Sequence, residues 1–544
     1  MSGVGKGITT ASIGRILKSM GYKVCLSKVD PYLNVDAGTM NPTEHGEVFV
    51  MDSGLETDQD MGNYERFLDI DLKSTDYMTS GMIYRDVINK ERNLGFKGRC
   101  VEAIPDIRDE IVKRYKKTAN DNDAEISIIE IGGTVGDYQN IMFLEAARVL
   151  KVHNPEDVMF IMVSYLPIPQ KLGEMKTRPT QNAVRQLNSY GIHANFIIAR
   201  SEIPLDVKRK DKLAVTCNIP KGNVISAPDI DSIYDVPLNF EKDHIGKMLT
   251  KHLMLPVRNP NLKDWQKFVH DKEKSKNGAK IKIAVVGKYF DTGEFVLSDA
   301  YLSVIEAIKY SSYKFGADPE LTWINSKKYD KNPKLVSELK QYDGVIVPGG
   351  FGEKGIEGKI AVIKYVRENK IPYLGLCYGM QLASVEFARN VVGLKGANTI
   401  EVDPETPYPI IHDIPFEEKY QTIKGEGASM RLGAYDCILK PGTLAHKIYK
   451  KHNGFKDEKK NLISERHRHR FEFNNDYRKP LEDAGFVISG TSPDNFFVEM
   501  IELPQDKHPF FLATQAHPEY KSMPLAPHPI FVEYLKAVID QSNK

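Results

Sequence analysis

Short apolar runs recur along this chain, each closed by glycine, proline or polar residues, which is the pattern of buried strands joined by turns. In the first half they fall at Val24-Cys25-Leu26, Ile126 to Ile131, Val158 to Val163 and Phe196-Ile197-Ile198, and stretches with helical spacing such as Phe143 to Val152 lie between them. Runs without polar alternation predict parallel strands covered on both faces. The stretch Asn259 to Gly278 is polar and charged, and a fresh strand opens after it at Ile281 to Gly287. Further strands are predicted at Gly344 to Val347, Ile371 to Leu374 and Phe510 to Ala513. The reading is α/β throughout: a doubly wound, P-loop-like domain over 1–256, a linker over 257–279 and a second α/β domain over 280–544.

Composition narrows the function classes. With 544 residues the chain is too long for one core. Its 74 basic and 73 acidic side chains nearly cancel, so net charge implies no nucleic-acid surface, although local clusters can still meet phosphates. The five cysteines are odd in number and scattered, which excludes a disulfide framework and zinc spacing and fits a reducing cytoplasm. The start has no apolar signal core and no run is long enough to span a bilayer, so no membrane is expected.

The sharpest local signal is Gly375-Leu376-Cys377-Tyr378-Gly379, directly after an apolar run. A strand ending in Gly-x-Cys-x-Gly predicts a tight strand-to-helix turn that presents the sulfur to the N-terminal end of the next helix. Downstream, His517-Pro518-Glu519 follows another strand and supplies a base with a carboxylate to orient it. Upstream, Pro348-Gly349-Gly350 follows a third and offers backbone N–H groups for an oxyanion. The three pieces read as a cysteine acyl-transfer site; the plainer alternative is a buried cysteine that only packs.

A second site gathers near the start. Gly3-Val4-Gly5-Lys6-Gly7 leads into an amphipathic stretch, the arrangement of a phosphate cradle at a helix N-terminus, with a mobile tail as the alternative. Lys28 follows a strand, and Asp58, Asp60 and Glu130 are hard oxygen donors suited to Mg²⁺. Lys176-Thr177-Arg178-Pro179-Thr180-Gln181 reads either as a grip on a second polyphosphate or as a solvated basic loop.

Over nearly its whole length the chain resembles the CTP synthases. The resemblance rests on Lys28 to Asp36, Glu44 to Val50, Gly62 to Phe67, Gly132 to Asp137, Lys176 to Gln181, and Glu465 to Arg470. It implies a synthetase (amidoligase) domain joined to a glutamine amidotransferase domain: a glutamine-hydrolysing ligase forming a C–N bond, in pyrimidine nucleotide biosynthesis. Cys377, His517 and Glu519 are then nucleophile, base and orienter, with Gly350, Tyr378, Gly379, Met380, Gln381, Glu401 and Arg470 around glutamine. ATP falls to Gly3, Gly5, Lys6, Gly7, Lys28, Asp60, Arg200, Asp229, Ile230 and Asp231, and Mg²⁺ to Asp60 and Glu130. UTP, and CTP as product inhibitor, fall to Asp137, Tyr138, Gln139, Lys176, Arg178, Gln181 and Lys212. Also implied are GTP as allosteric activator, a lid over 425–433, a homotetramer and a cytoplasmic location.

Three departures shape the expectation. The chain starts inside the phosphate loop, so the family's leading strand and further glycines are missing from its first sheet; Gln139 stands where the family has a carboxylate; Tyr378 replaces a common leucine. One reading is a working enzyme. A second is an N-terminally truncated or impaired paralogue that keeps glutaminase or an assembly role, and a third is another ATP-dependent amidotransferase, against which the string 176–181 argues.

Overall fold

The computed structural model describes residues 3–40, 46–169, 173–287, 301–350, 355–414, 421–422 and 429–544. It divides into two compact units, Met1–Thr39 with Asp60–Val269, and Met40–Gln59 with His270–Lys544.

The first unit holds two parallel three-stranded sheets. One orders β2 (Tyr77–Thr79), β1 (Val24–Asp30) and β3 (Ile126–Ile131); the other orders β4 (Ile161–Tyr165), β5 (Phe196–Ser201) and β6 (Val224–Pro228). β3 and β4 each pair on one side only, and burial records it. β1 and β5 are buried at nearly every position, whereas Ile128 and Ile129 of β3 and Ile161, Met162 and Val163 of β4 are half-buried. Helix α1 (Lys6–Ser19) lies against β1 and β3 and buries Ile13, Ile16 and Leu17, the apolar face that its spacing predicts.

Two sequence boundaries move. β1 runs on through Lys28-Val29-Asp30, because Lys28, which interrupts its apolar run, is buried against Glu130 of β3, whereas β3 keeps the bounds its sequence predicts. The stretch read as a linker contains helix Lys263–Ser275. Trp265 and Phe268, at i and i+3, give it a buried face: Trp265 is wholly buried, donates Nε1–H to Tyr234 O at 2.8 Å and packs on Phe67 with ring centroids 5.1 Å apart.

The second unit is built on a ten-stranded sheet. Its strands are β7 (Lys280–Gly287), β8 (Asp318–Asn325), β9 (Gly344–Val347), β10 (Tyr373–Leu376), β11 (Gln421–Thr422), β12 (Ser429–Leu439), β13 (Leu462–His469), β14 (Val487–Thr491), β15 (Val498–Glu502) and β16 (Phe511–Thr514). The order is β8-β7-β9-β10-β16-β15-β14-β12-β11, with β13 on β12; the first five are parallel and the rest antiparallel. Alternate residues feed opposite faces, Ala284, Val286, Val345 and Phe511 into one core and Ile283, Val285, Ile346 and Leu512 into the other. The expected lid falls partly outside the described residues; Ser429 to Gly433 lie in β12. Among the described residues no helix is long and apolar enough to cross a membrane.

Candidate active site

β10 ends at Leu376 and helix α2 (Tyr378–Phe387) begins one residue later, so Cys377 alone makes the turn, at φ 51° and ψ −102°. A non-glycine residue held there is strained and persists only because its neighbours fix it. Cys377 N–H donates to Thr514 O at 2.7 Å, tying the elbow to β16. The glycines are obligatory: a Cβ on Gly379 would lie 2.2 Å from Val347 O, and one on Gly349 2.8 Å from His517 Cε1. His517 Nδ1 is 2.7 Å from Glu519 Oε1, which leaves Nε2 for the sulfur. Burial alone would push this imidazole down, but Glu519 and the Cys377 sulfur outweigh it and raise it to about 10.

Tyr378, Gly379, Met380 and Gln381 make the first turn of α2 directly after the thiol, and Gly350 follows Gly349, whose added Cβ would lie 3.5 Å from Cys377 Cβ. The Gln381 amide nitrogen is committed, donating to Phe471 O at 2.8 Å and facing Gln515 Oε1 at 3.1 Å. Glu401 lies in a half-buried turn and Arg470 just past β13. Gln515 escaped the sequence reading, although its Nε2 is 3.6 Å from Cys377 Sγ. Its position two residues before His517 was the available signal.

The Arg466 to His469 alternation forms the end of β13 and splits by face, as the period of a strand requires. Two of its arginines meet carboxylates of the chain itself. Arg466 pairs with Asp52, and Arg468 Nε donates to Glu56 Oε1 at 2.7 Å. Both carboxylates belong to segment 40–59, whose Phe49–Val50 and Glu56–Thr57 form a hairpin within the second unit. On the other face His467 Nδ1 is 3.2 Å from His469 Nε2, and burial followed by Arg431 pushes both imidazoles well down.

In the first unit, Gly5 takes φ 82° and α1 begins at Lys6, whose Nζ donates to Gly133 O at 3.2 Å. A Cβ on Gly7 would lie 2.1 Å from Asp60 Oδ1, so only glycine admits this carboxylate. Lys28 and Glu130 are register partners on β1 and β3; Lys28 Nζ is 3.2 Å from Glu130 Oε1 and also bonds Asp60. Tyr64 donates to the other Glu130 oxygen, and burial, opposed by Lys28, raises the Glu130 carboxyl above its ordinary range. Asp60 and Glu130 thus converge on one ammonium, a hard oxygen pair that fits a divalent cation, although no cluster of three such ligands exists among the described residues. Arg200 Nη2 bonds Asp229 Oδ1 at 2.8 Å, and its Nε stands 3.7 Å from where a Gly5 Cβ would be, which links these residues to the glycine turn; Ile230 and Asp231 follow Asp229 directly.

The remaining residues are less closely assembled. Asp137 accepts from Thr134 N–H at 2.7 Å, Tyr138 is 92% exposed and Gln139 is exposed beside it. Lys176 pairs with Glu174 at 2.6 Å, and Arg209 and Lys212 bear on the same carboxylate. Arg178 opens helix Arg178–Ser189, and Gln181 is buried and donates to Thr177 Oγ1 at 3.2 Å.

The chain is 49% identical to a CTP synthase of Caldanaerobacter subterraneus subsp. tengcongensis over 99% of its own length and 97% of that protein. It belongs to the CTP synthase family. A CTP synthase of Bacillus subtilis is 44% identical, covering 100% and 98%. The family described as CTP synthase N-terminus matches residues 1–255, and glutamine amidotransferase class-I matches 296–537. Among solved structures, the Trypanosoma brucei CTPS glutaminase domain with bound acivicin is 33% identical over 48% of this chain and 94% of that one, with a TM-score of 0.42. As in other CTP synthases, a synthetase region and an amidotransferase region share one chain, and its activity is that of a glutamine-hydrolysing ligase.

Proposed function

We propose that the chain aminates UTP to CTP in two coupled half-reactions, and that Cys377 on its strained elbow beside the His517–Glu519 pair, 2.7 Å apart, is the observation that carries the first. The sulfur passes its proton to His517 Nε2 and attacks the carboxamide carbon of glutamine. The C–N bond breaks as the imidazolium returns the proton to the leaving nitrogen, giving ammonia and a thioester that water hydrolyses to glutamate. Glu519 holds the imidazole in register throughout.

In the second half-reaction the uracil O4 takes the γ-phosphoryl of ATP, ammonia adds at C4, and phosphate leaves with the O4 oxygen. Lys6, Lys28 and Arg200 bind and orient the triphosphate of ATP, and Lys176, Arg178 and Lys212 that of UTP. Asp60 and Glu130 would hold Mg²⁺, which supplies charge neutralisation at the phosphates. Lys28, now between these carboxylates, then turns to the phosphate oxygens. GTP activation, CTP inhibition, a homotetramer and a cytoplasmic location complete the proposal, on the strength of family resemblance alone.

The test is CTP formation from UTP and ATP with glutamine and with ammonium chloride in parallel, using glutamine labelled with ¹⁵N at the amide. Label is expected at the exocyclic nitrogen of cytosine. Product without label from the glutamine reaction would refute the coupling.

A further inference from the structure

A line of polar groups runs from the main chain to the thiol. Phe471 O accepts from Gln381 Nε2 at 2.8 Å, and that same nitrogen faces Gln515 Oε1 at 3.1 Å. A carbonyl only accepts, so the Gln381 atom against it is the NH₂ nitrogen; an NH₂ only donates, so the Gln515 atom against that is the oxygen. The Gln515 NH₂ is thereby turned to Cys377 Sγ at 3.6 Å. A backbone carbonyl thus sets an amide orientation that shape alone leaves ambiguous.

Gln381, Gln515 and Cys377 are 2%, 1% and 4% exposed, so water does not compete for these bonds. The Gln515 backbone is fixed as well, its N–H donating to Glu499 O at 2.8 Å. An NH₂ stabilises the sulfur only as an acceptor, and a negative sulfur more than a neutral one. The protonated sulfur has a different partner, Arg468 O at 3.7 Å. The sulfur therefore stands between a carbonyl that favours S–H and an amide that favours S⁻.

We propose that Gln515 is a further catalytic residue of this centre, whose N–H holds the Cys377 sulfur as thiolate once its proton has passed to His517 Nε2. The proposal rests on the glutamine-hydrolysing reading above. Only the S–H bond breaks and only the N–H bond of the imidazolium forms. Among the described residues, His517, Arg468 and Tyr520 are titratable or charged groups that also bear on the sulfur, and a substitution at 515 leaves each of these side chains in place.

Iodoacetamide alkylation of Cys377 in the full chain, followed by the mass of its peptide from pH 5 to pH 10, tests this. Gln515→Met keeps the length and loses the donor. Alkylation at pH 7 is expected to slow about tenfold, with its pH midpoint moved up by about one unit. Gln515→Glu sets an oxygen against the sulfur and is expected to slow it further. Should Gln515→Met fail to fold, Gln381→Met carries the test, because it leaves Gln515 in place but unlocks its amide; about threefold slowing is expected. Unchanged rate and midpoint in the folded variant would overturn the proposal, as would a lower melting temperature with an unmoved midpoint. CTP formation by the unsubstituted chain reads the proposed function separately. Its absence beside a shifted alkylation profile would refute that function and leave the bond from Gln515 to sulfur standing.

Discussion

The thiol centre and the proposed phosphate centre are built on opposite plans. Around Cys377 the groups that handle the proton are already in place: the elbow is pinned to β16, His517 to Glu519, and Gln515 to the sulfur. Around Lys28 the charges face each other instead, ammonium against Asp60 and Glu130, and Lys6 against Gly133 O. The thiol centre stands on five adjacent parallel strands, the phosphate centre on β1 and β3 of a sheet whose edge is half-buried. Side-chain nucleophiles can be assembled in advance. A site for polyanions has to neutralise its own charges until the ligand arrives, because an unpaired buried charge costs too much.

If the two centres are separable in this way, their variants divide by nitrogen source. Cys377→Ala should lower glutamine-dependent CTP formation by roughly 10⁴-fold while ammonia-dependent formation stays within about twofold; loss of both would collapse the distinction. Lys28→Met should cost about 10²-fold by either route, since it strips the phosphate centre alone, and a loss confined to glutamine would reverse the assignment. Glu519→Gln should slow only the glutamine route, by about tenfold to thirtyfold, through a less well oriented imidazole.

The smallest effect concerns pH. His517, raised from 6.5 to about 10, contributes stability that is fully present below pH 6.5 and lost as pH rises through about 10. Urea midpoints at pH 6 and pH 10 should differ more for the natural chain than for His517→Asn. Equal differences would mean that the imidazole is not held charged.

The thiol centre was legible in the sequence because its parts sit at strand ends that glycines mark: Gly375 and Gly379 around Cys377, Gly349 before the second turn. The phosphate centre was half legible. Lys28 was read as lying past its strand, whereas it faces Glu130 inside the sheet, because a buried ion-pair partner looks in sequence like a polar stop. Gln515 was missed since its place two residues before His517 does not say which way its amide turns until its partners are known. The helix Lys263–Ser275 was hidden by its charge, with Trp265 and Phe268 as the only sign of a covered face. The carboxylate partners of Arg466 and Arg468 lie some 400 residues away in sequence, at Asp52 and Glu56, a pairing that no local pattern encodes.

That pairing has a genetic consequence. Within the second unit, residues 46–59 are packed on a part of the chain far downstream: Asp52 and Glu56 neutralise Arg466 and Arg468, Glu47 binds Ser303, and Val48 O accepts from Tyr520. No single break in the reading frame parts the two units cleanly. A gene split before residue 270 would encode one product carrying the acidic clasp and another in which Arg466 and Arg468 have lost Asp52 and Glu56, so fission of this protein into independent subunits demands a transplant of some twenty codons, not merely a new stop and start.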